Sequence, residues 1–154
     1  MCSSDLKRPD YLPFLYTDIE INIASQNYQS ALATIERQLK FNRKSYPLRM
    51  LKADALWKAH NYEKSAVVLT GLTKTRPEDP MIWYKLAEVR GLAGDISGVH
   101  QARAEYFVLI GALGSAKKQL EYAAKLLAAD FKKLSVIKKR LSDIAIMERK
   151  LAKF

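Results

Sequence analysis

With 154 residues, 49% hydrophobic and 27% charged side chains, the chain has the size and composition of one folded domain rather than a low-complexity or disordered polymer. Its single cysteine, Cys2, excludes an intrachain disulfide, and no run of about 18 apolar residues is present to cross a bilayer. Lys and Arg outnumber Asp and Glu by 26 to 16, and the excess is concentrated: residues 115–154 carry 11 basic and 4 acidic side chains, +7 of the total +10.

In chain order, residues 1–11 are polar and aperiodic and are expected to form a flexible N-terminus. No apolar signal-peptide core follows Met1. Residues 12–154 are expected to form a single helical domain. Apolar positions recur at helical spacing in eight segments, at about 14–25, 28–42, 46–59, 62–75, 80–93, 96–110, 113–128 and 131–152. Start and stop signals separate them. Ser45 precedes Tyr46-Pro47, and Asp79 precedes Pro80, each a cap followed by a first-turn proline. Gly94-Asp95 is a stop followed by a cap, the stretch from Gly111 to Gly114 is a turn, and Asp130 can cap the last helix.

A period runs through these segments. Asn27-Tyr28-Gln29-Ser30-Ala31 and Asn61-Tyr62-Glu63-Lys64-Ser65-Ala66 lie 34 residues apart, and Asp95-Ile96-Ser97-Gly98-Val99 follows after another 34. The same spacing relates Ile19, Ala53 and Ala87, and also Ile35 and Leu69. This is the period of tetratricopeptide (TPR) repeats. The chain therefore resembles an all-α TPR-like protein, a right-handed superhelix of about eight antiparallel helices. Small residues at Ala53, Ala87, Ala31 and Ser65 let two helices cross closely. Tyr28 and Tyr62 open the second helix of each repeat and pack between repeats, and Pro77 closes the second repeat. One hairpin cannot bury its apolar face alone, so neighbours stack.

The pattern departs from this plan in two places. Arg90 and Arg103 stand where bulky apolar residues are usual. The segment from Val99 to Gly111 also reads as the first helix of a further repeat, with Ala104 and Phe107 at the small and large positions and Ala116, Leu120 and Ala123 on its partner. The register thus shifts by half a repeat near Gly98. The last helix bears a stripe of Leu134, Ile137, Leu141, Ile144 and Leu151, as expected of a C-terminal capping helix. A coiled-coil seam is the rival reading, and Glu148 interrupts it.

Nothing in the pattern points to catalysis, a metal or a cofactor. His60 lies in the turn Ala59-His60-Asn61, and His100 reads as a partly buried structural residue. The glycines of the segment Gly91-Leu92-Ala93-Gly94-Asp95-Ile96-Ser97-Gly98 follow no strand and precede no Lys-Ser/Thr, so they form a helix–helix turn and not a phosphate loop. No nucleophile elbow occurs, and Glu78-Asp79 reads as a cap. What remains is a surface. In stacked repeats the first helices line a groove, here built from Met50, Asp54, Trp57 and Lys58, then Met81, Tyr84 and Glu88, then Gln101, Glu105 and Val108. Aromatic and Met side chains with a few charges suit a protein or peptide partner. Trp83 reads as core, and Trp57 as core or groove equally.

The basic C-terminal segment leaves an alternative, a stand-alone helical-repeat protein that binds nucleic acid or an anionic membrane surface. The lack of interleaved aromatic residues makes nucleic acid the unlikely partner. A lipid-binding use of the last helix would need the same Leu/Ile stripe as capping does.

The stretch Trp83-Tyr84-Lys85-Leu86-Ala87-Glu88, with His100-Gln101-Ala102-Arg103-Ala104-Glu105-Tyr106-Phe107-Val108-Leu109-Ile110-Gly111, resembles the C-terminal TPR region of bacterial periplasmic zinc metalloproteases of the BepA type. An Ala-Arg-Ala-Glu-Tyr helix, a Gly turn, a Gln-Leu helix and a basic final helix carry the likeness, which is strong over residues 83–127. It implies a non-catalytic docking module in the periplasm; such an interaction module is expected to be a monomer or weak dimer. Its implied partners are the cognate protease domain and the outer-membrane assembly machinery. The zinc motif of that protease domain is not in this sequence, so no catalytic residue carries over.

Overall fold

A computed structural model describes residues 11–153; Cys2 and most of the expected flexible N-terminus lie outside the described residues. Among these, all regular structure is helical: α1 (Tyr11–Ala24), α2 (Tyr28–Phe41), α3 (Tyr46–Lys58), α4 (Tyr62–Thr75), α5 (Pro80–Leu92), α6 (Ile96–Leu109), α7 (Leu113–Leu126) and α8 (Phe131–Leu151). The fold is all-α, as expected, and every boundary falls within a few residues of the sequence reading. The caps explain that agreement. The Ser45 hydroxyl accepts from the Leu48 N–H at 3.5 Å, Asp79 from Met81 at 3.0 Å, Asp95 from Gly98 at 2.9 Å and Asp130 from Lys133 at 3.0 Å. Each satisfies a backbone donor that the first helical turn leaves without a partner.

Two kinds of link join the helices. Gln26, His60, Gly94 and Gly111 adopt positive φ of 64°, 59°, 79° and 80°. After each, the next N–H reaches back five residues to a carbonyl: Asn27 to Asn22, Asn61 to Leu56, Asp95 to Arg90 and Ala112 to Phe107, at 2.8–2.9 Å. These are Schellman-type ends, which reverse the chain within a few residues. The first three lie 34 residues apart, but Gly111 comes only 17 after Gly94. The longer links instead enter the next helix through Ser45, Asp79 and Asp130, the first two 34 apart and the third 51 further on. The half-repeat shift expected near Gly98 is thus written into the turns, and tight turns flank α6 on both sides.

The chain divides into two compact units, Met1–Val68 and Leu69–Phe154. In the first, Leu15, Ile19, Ile23, Ala31, Ile35, Leu48 and Ala55 form one buried cluster, and Tyr28 packs against it. Ala53 and Ser65 are buried where α3 and α4 cross, and the Ser65 hydroxyl donates to the Ala53 carbonyl at 2.8 Å. A larger residue at either position would separate the helices. In the second unit Ala104, Leu113, Ala116, Leu120, Ala123, Ile137 and Ile144 are buried together, so α6, α7 and α8 share a core.

α8 carries the expected stripe with one exception. Ile137 and Ile144 are buried and Leu134 and Leu141 half-buried, but Leu151 is 64% exposed. α8 has 21 residues against 14 in α7, so its last turn outruns its neighbour. Ion pairs hold the helix at two points, Arg140 to Glu105 of α6 and Lys117 of α7 to Glu148.

Arg90, out of place for a simple repeat, has a structural task. Its guanidinium donates to the Gly98 carbonyl at 3.2 Å and to the Thr70 hydroxyl at 3.4 Å, and lies 3.7 Å from Asp95. Burial lowers its pKa, and the Asp95 charge opposes that shift. A Cβ on Gly98 would fall on the Asp95 carboxylate and 2.7 Å from the Arg90 Cδ. Glycine is therefore required inside this helix for close approach.

Two stability predictions follow from the backbone. Gln26 is exposed and sits in the left-handed region, which costs an L-residue about 1–2 kcal/mol. Gln26→Gly is expected to stabilise by about 1 kcal/mol, read as a rise of roughly 2–4 °C in melting temperature. At an open helical site Gly→Ala would stabilise by up to about 1 kcal/mol. Gly98→Ala is expected to do the opposite, costing about 1–2 kcal/mol in urea unfolding, because the Asp95 cap and the Arg90 side chain must both move.

Candidate functional site

The groove residues proposed from the sequence fall into both compact units. In the first, Met50, Asp54 and Trp57 are half-buried and Lys58 exposed. Their spacing places them along one face of α3. Trp57 is thus neither fully core nor a projecting anchor.

In the second unit, Met81, Tyr84 and Glu88 share a face of α5. Met81 and Tyr84 are 54% and 45% exposed, large values for apolar bodies held on a helix. The Tyr84 hydroxyl hydrogen-bonds the Glu88 carboxylate, which raises the phenol pKa. The Tyr84 ring lies 5.7 Å from that of Tyr106, which in turn lies 5.6 Å from Phe107. These three rings, with Glu88, Arg103 and Gln119, wall a cavity of about 190 Å³. Its rim holds one acid and one base, and its wall is aromatic.

Gln101 and Glu105 do not face this cavity. They lie on the other side of α6, in a second cavity of about 270 Å³ with Trp83, Leu86, Arg90 and Arg140. The reason is the dual role of α6. Positions 101 and 105 are one turn apart, while 103, 106 and 107 are on the opposite side of the same helix. Within this unit the expected ladder of first helices therefore parts into two faces. Val108 is half-buried against the α6–α8 core. Trp83, expected as core, is half-buried, and its indole N–H donates to the Pro77 carbonyl at 2.8 Å, tying the α4–α5 link to α5.

Glu105 is engaged within the chain. Its two oxygens accept from Arg140 Nε and a terminal nitrogen at 2.8 and 2.6 Å, a bidentate pair with both side chains about three-quarters buried. The pair joins α6 to α8 and raises the Arg140 pKa. The sequence could not show it, since the partners are 35 residues apart. His100 is half-buried as expected, with Nδ1 2.8 Å from Gln119 Oε1 and its ring 5.3 Å from that of Tyr122. His60 is exposed, with Nδ1 2.6 Å from the Tyr62 hydroxyl. Among the described residues no three His, Cys, Asp or Glu side chains are grouped to hold a metal ion, and no helix is long and apolar enough to cross a membrane.

Residues 22–89 match the tetratricopeptide repeat family. Those residues, a little under half of the chain, are similar to TPR repeats. Its fold is also similar to the crystal structure of a tetratricopeptide repeat protein from Parabacteroides merdae ATCC 43184, with 20% identity and a TM-score of 0.50. That similarity covers 91% of this chain but only 60% of the other, so the chain spans well under two thirds of its neighbour. No curated protein matches it. TPR repeats generally mediate protein–protein interaction. Of the aromatic side chains on α5 and α6, Tyr84 is the exposed one, with Tyr106 and Phe107 half-buried beside it.

The Arg140–Glu105 pair can be tested for its structural share. Glu105→Gln keeps the shape but loses the charge-assisted bidentate bond. It is expected to cost about 1–2 kcal/mol of unfolding free energy, after discounting for the pair's partial exposure. The loss should be largely absent when Arg140→Met is already in place, which a double-mutant cycle measures.

Proposed function

We propose that this chain is a non-catalytic docking module whose cavity at Tyr84 receives an apolar or aromatic side chain of a partner protein. The observation that carries this reading is the grouping of Tyr84, Tyr106 and Phe107 around an open cavity, with Glu88 and Arg103 at its rim. Rigid aromatic walls supply contact area at low entropic cost, and flanking charges set register. Met81, one turn before Tyr84, extends the apolar surface along α5. On α3, Met50, Asp54, Trp57 and Lys58 offer a second strip of similar chemistry.

For the setting, the resemblance of residues 83–127 to the TPR region of BepA-type metalloproteases supports a periplasmic role. The module would dock a zinc protease domain to outer-membrane assembly machinery, within outer-membrane protein quality control. The chain alone is expected to leave casein intact with or without added zinc.

Tyr84→Ala separates binding from folding. The side chain is nearly half exposed, so the melting temperature should hardly move. Loss of a central aromatic anchor typically costs on the order of 2 kcal/mol in binding, or roughly 30-fold. Ala87→Trp, by contrast, overfills a buried position and should disrupt the stack. Wild type and Tyr84→Ala, immobilised side by side in a bacterial envelope extract, should differ in the partners they retain. Equal recovery of the same partners would remove this cavity as the binding surface.

A further inference from the structure

The structure separates two properties of the last helix that compete in the sequence. The Ile137 and Ile144 side of α8 is closed against α6 and α7. Two of its acids are paired away from the outward side, Glu148 with Lys117 and Asp130 with Lys133 at the helix start, and Asp143 acts on Arg140. The opposite side carries Lys132, Lys138, Lys139, Arg149, Lys150 and Lys153, all exposed. From residue 132 to 153 these cations fall on one side of the helix in two groups, Lys132 to Lys139 and Arg149 to Lys153, spread over about 30 Å, with Asp143 at the edge of the face beside Arg140. Two apolar residues stand among the cations, Phe131 at 85% exposure and Ile146 at 42%.

We propose that this outward face of α8 is a docking surface for a bilayer containing anionic phospholipid. The lysines supply the attraction and Phe131 and Ile146 enter the headgroup region. Charge complementarity selects an anionic partner, and three features select a membrane among anionic partners. Five of the six cations are Lys, whose compact charge suits a diffuse anionic surface, whereas Arg is favoured for bidentate phosphate recognition in nucleic acids. The one arginine, Arg149, directs its Nε to the Ala145 carbonyl at 3.3 Å. An exposed Phe and Ile gain by leaving water for the acyl boundary and gain nothing against a phosphodiester backbone. The docking leaves the α6–α8 core closed, so no part of the repeat need unfold. It uses a different surface from the Tyr84 cavity and stands independently of it.

The test is co-sedimentation of the full chain with phosphatidylcholine vesicles with and without phosphatidylserine, at low and high ionic strength. Binding is expected only to the anionic vesicles and should weaken with salt. Replacing Lys132, Lys139 and Lys150 together by Gln should lower the partition coefficient about 100-fold, at roughly fivefold for each cation near the surface. Phe131→Ser with Ile146→Ser should weaken it further at high salt. All five positions are exposed, so unchanged melting curves confirm that the fold is intact. Equal binding to neutral vesicles, no binding at low salt, or a triple variant that binds like wild type would each overturn the proposal. So would tighter binding to a DNA or RNA duplex, insensitive to the Phe131 and Ile146 changes, which would assign the face to nucleic acid instead.

Discussion

A helix of 13 or 14 residues is marginal alone in water, and α1 to α7 all have that length. Each must therefore find a neighbour quickly, and the left-handed residues at Gln26, His60, Gly94 and Gly111 provide one by folding the chain straight back. The rest of the architecture answers to that constraint. Helices brought together so tightly need small residues at the crossing, which is why Ala31, Ala53, Ser65, Ala102 and Ala104 are all buried. Where the crossing residue is polar, as at Ser65, its hydroxyl bonds to the facing backbone instead of being left without a partner.

The second unit shows what happens when two such turns follow each other. α6 becomes partner to both α5 and α7, so both of its sides are in use. One side carries Tyr106 and Phe107 beside Tyr84, and the other carries Gln101 and Glu105 beside Trp83 and Arg90. Buried charge is the cost of this sharing. Arg90 occupies space that a simple repeat fills with hydrocarbon, and it and Arg140 of α8 each have their acceptors, Gly98 and Thr70 for the first and Glu105 for the second. The same pairing makes α8 an integral part of the unit, attached to α6 by charge and to α7 by Ile137 and Ile144.

Most of the helical frame was legible because its signals are local. Ser45, Asp79, Asp95 and Asp130 each mark a helix start through a bond to a residue two or three positions on. Two of the left-handed turns were legible as Gly94 and Gly111. The turn at His60 was legible too, but not its left-handed backbone, and Gln26 gave no turn signal, because both hide that conformation behind side chains that rarely adopt it. Contacts between distant residues were out of reach: nothing in the pattern of α6 announces that Glu105 will meet Arg140. The expected groove residues lie on helix faces, but their division in the second unit depends on which side of α6 faces which neighbour. The exposure of Leu151 is a matter of relative helix length, which periodicity alone does not measure.

The slip of 17 residues also bears on how this chain can be recognised among its relatives. The family match ends at residue 89, five residues before Gly94 opens the first of the two consecutive tight turns. Beyond it α6 and α7 keep the length of 14 residues, with buried alanines at Ala102, Ala104, Ala116 and Ala123. An alignment held to one 34-residue frame across Gly94 sets α6 half a repeat out of step. Comparison across this boundary must allow the frame to restart at Gly98, where the close approach of Arg90 marks the seam.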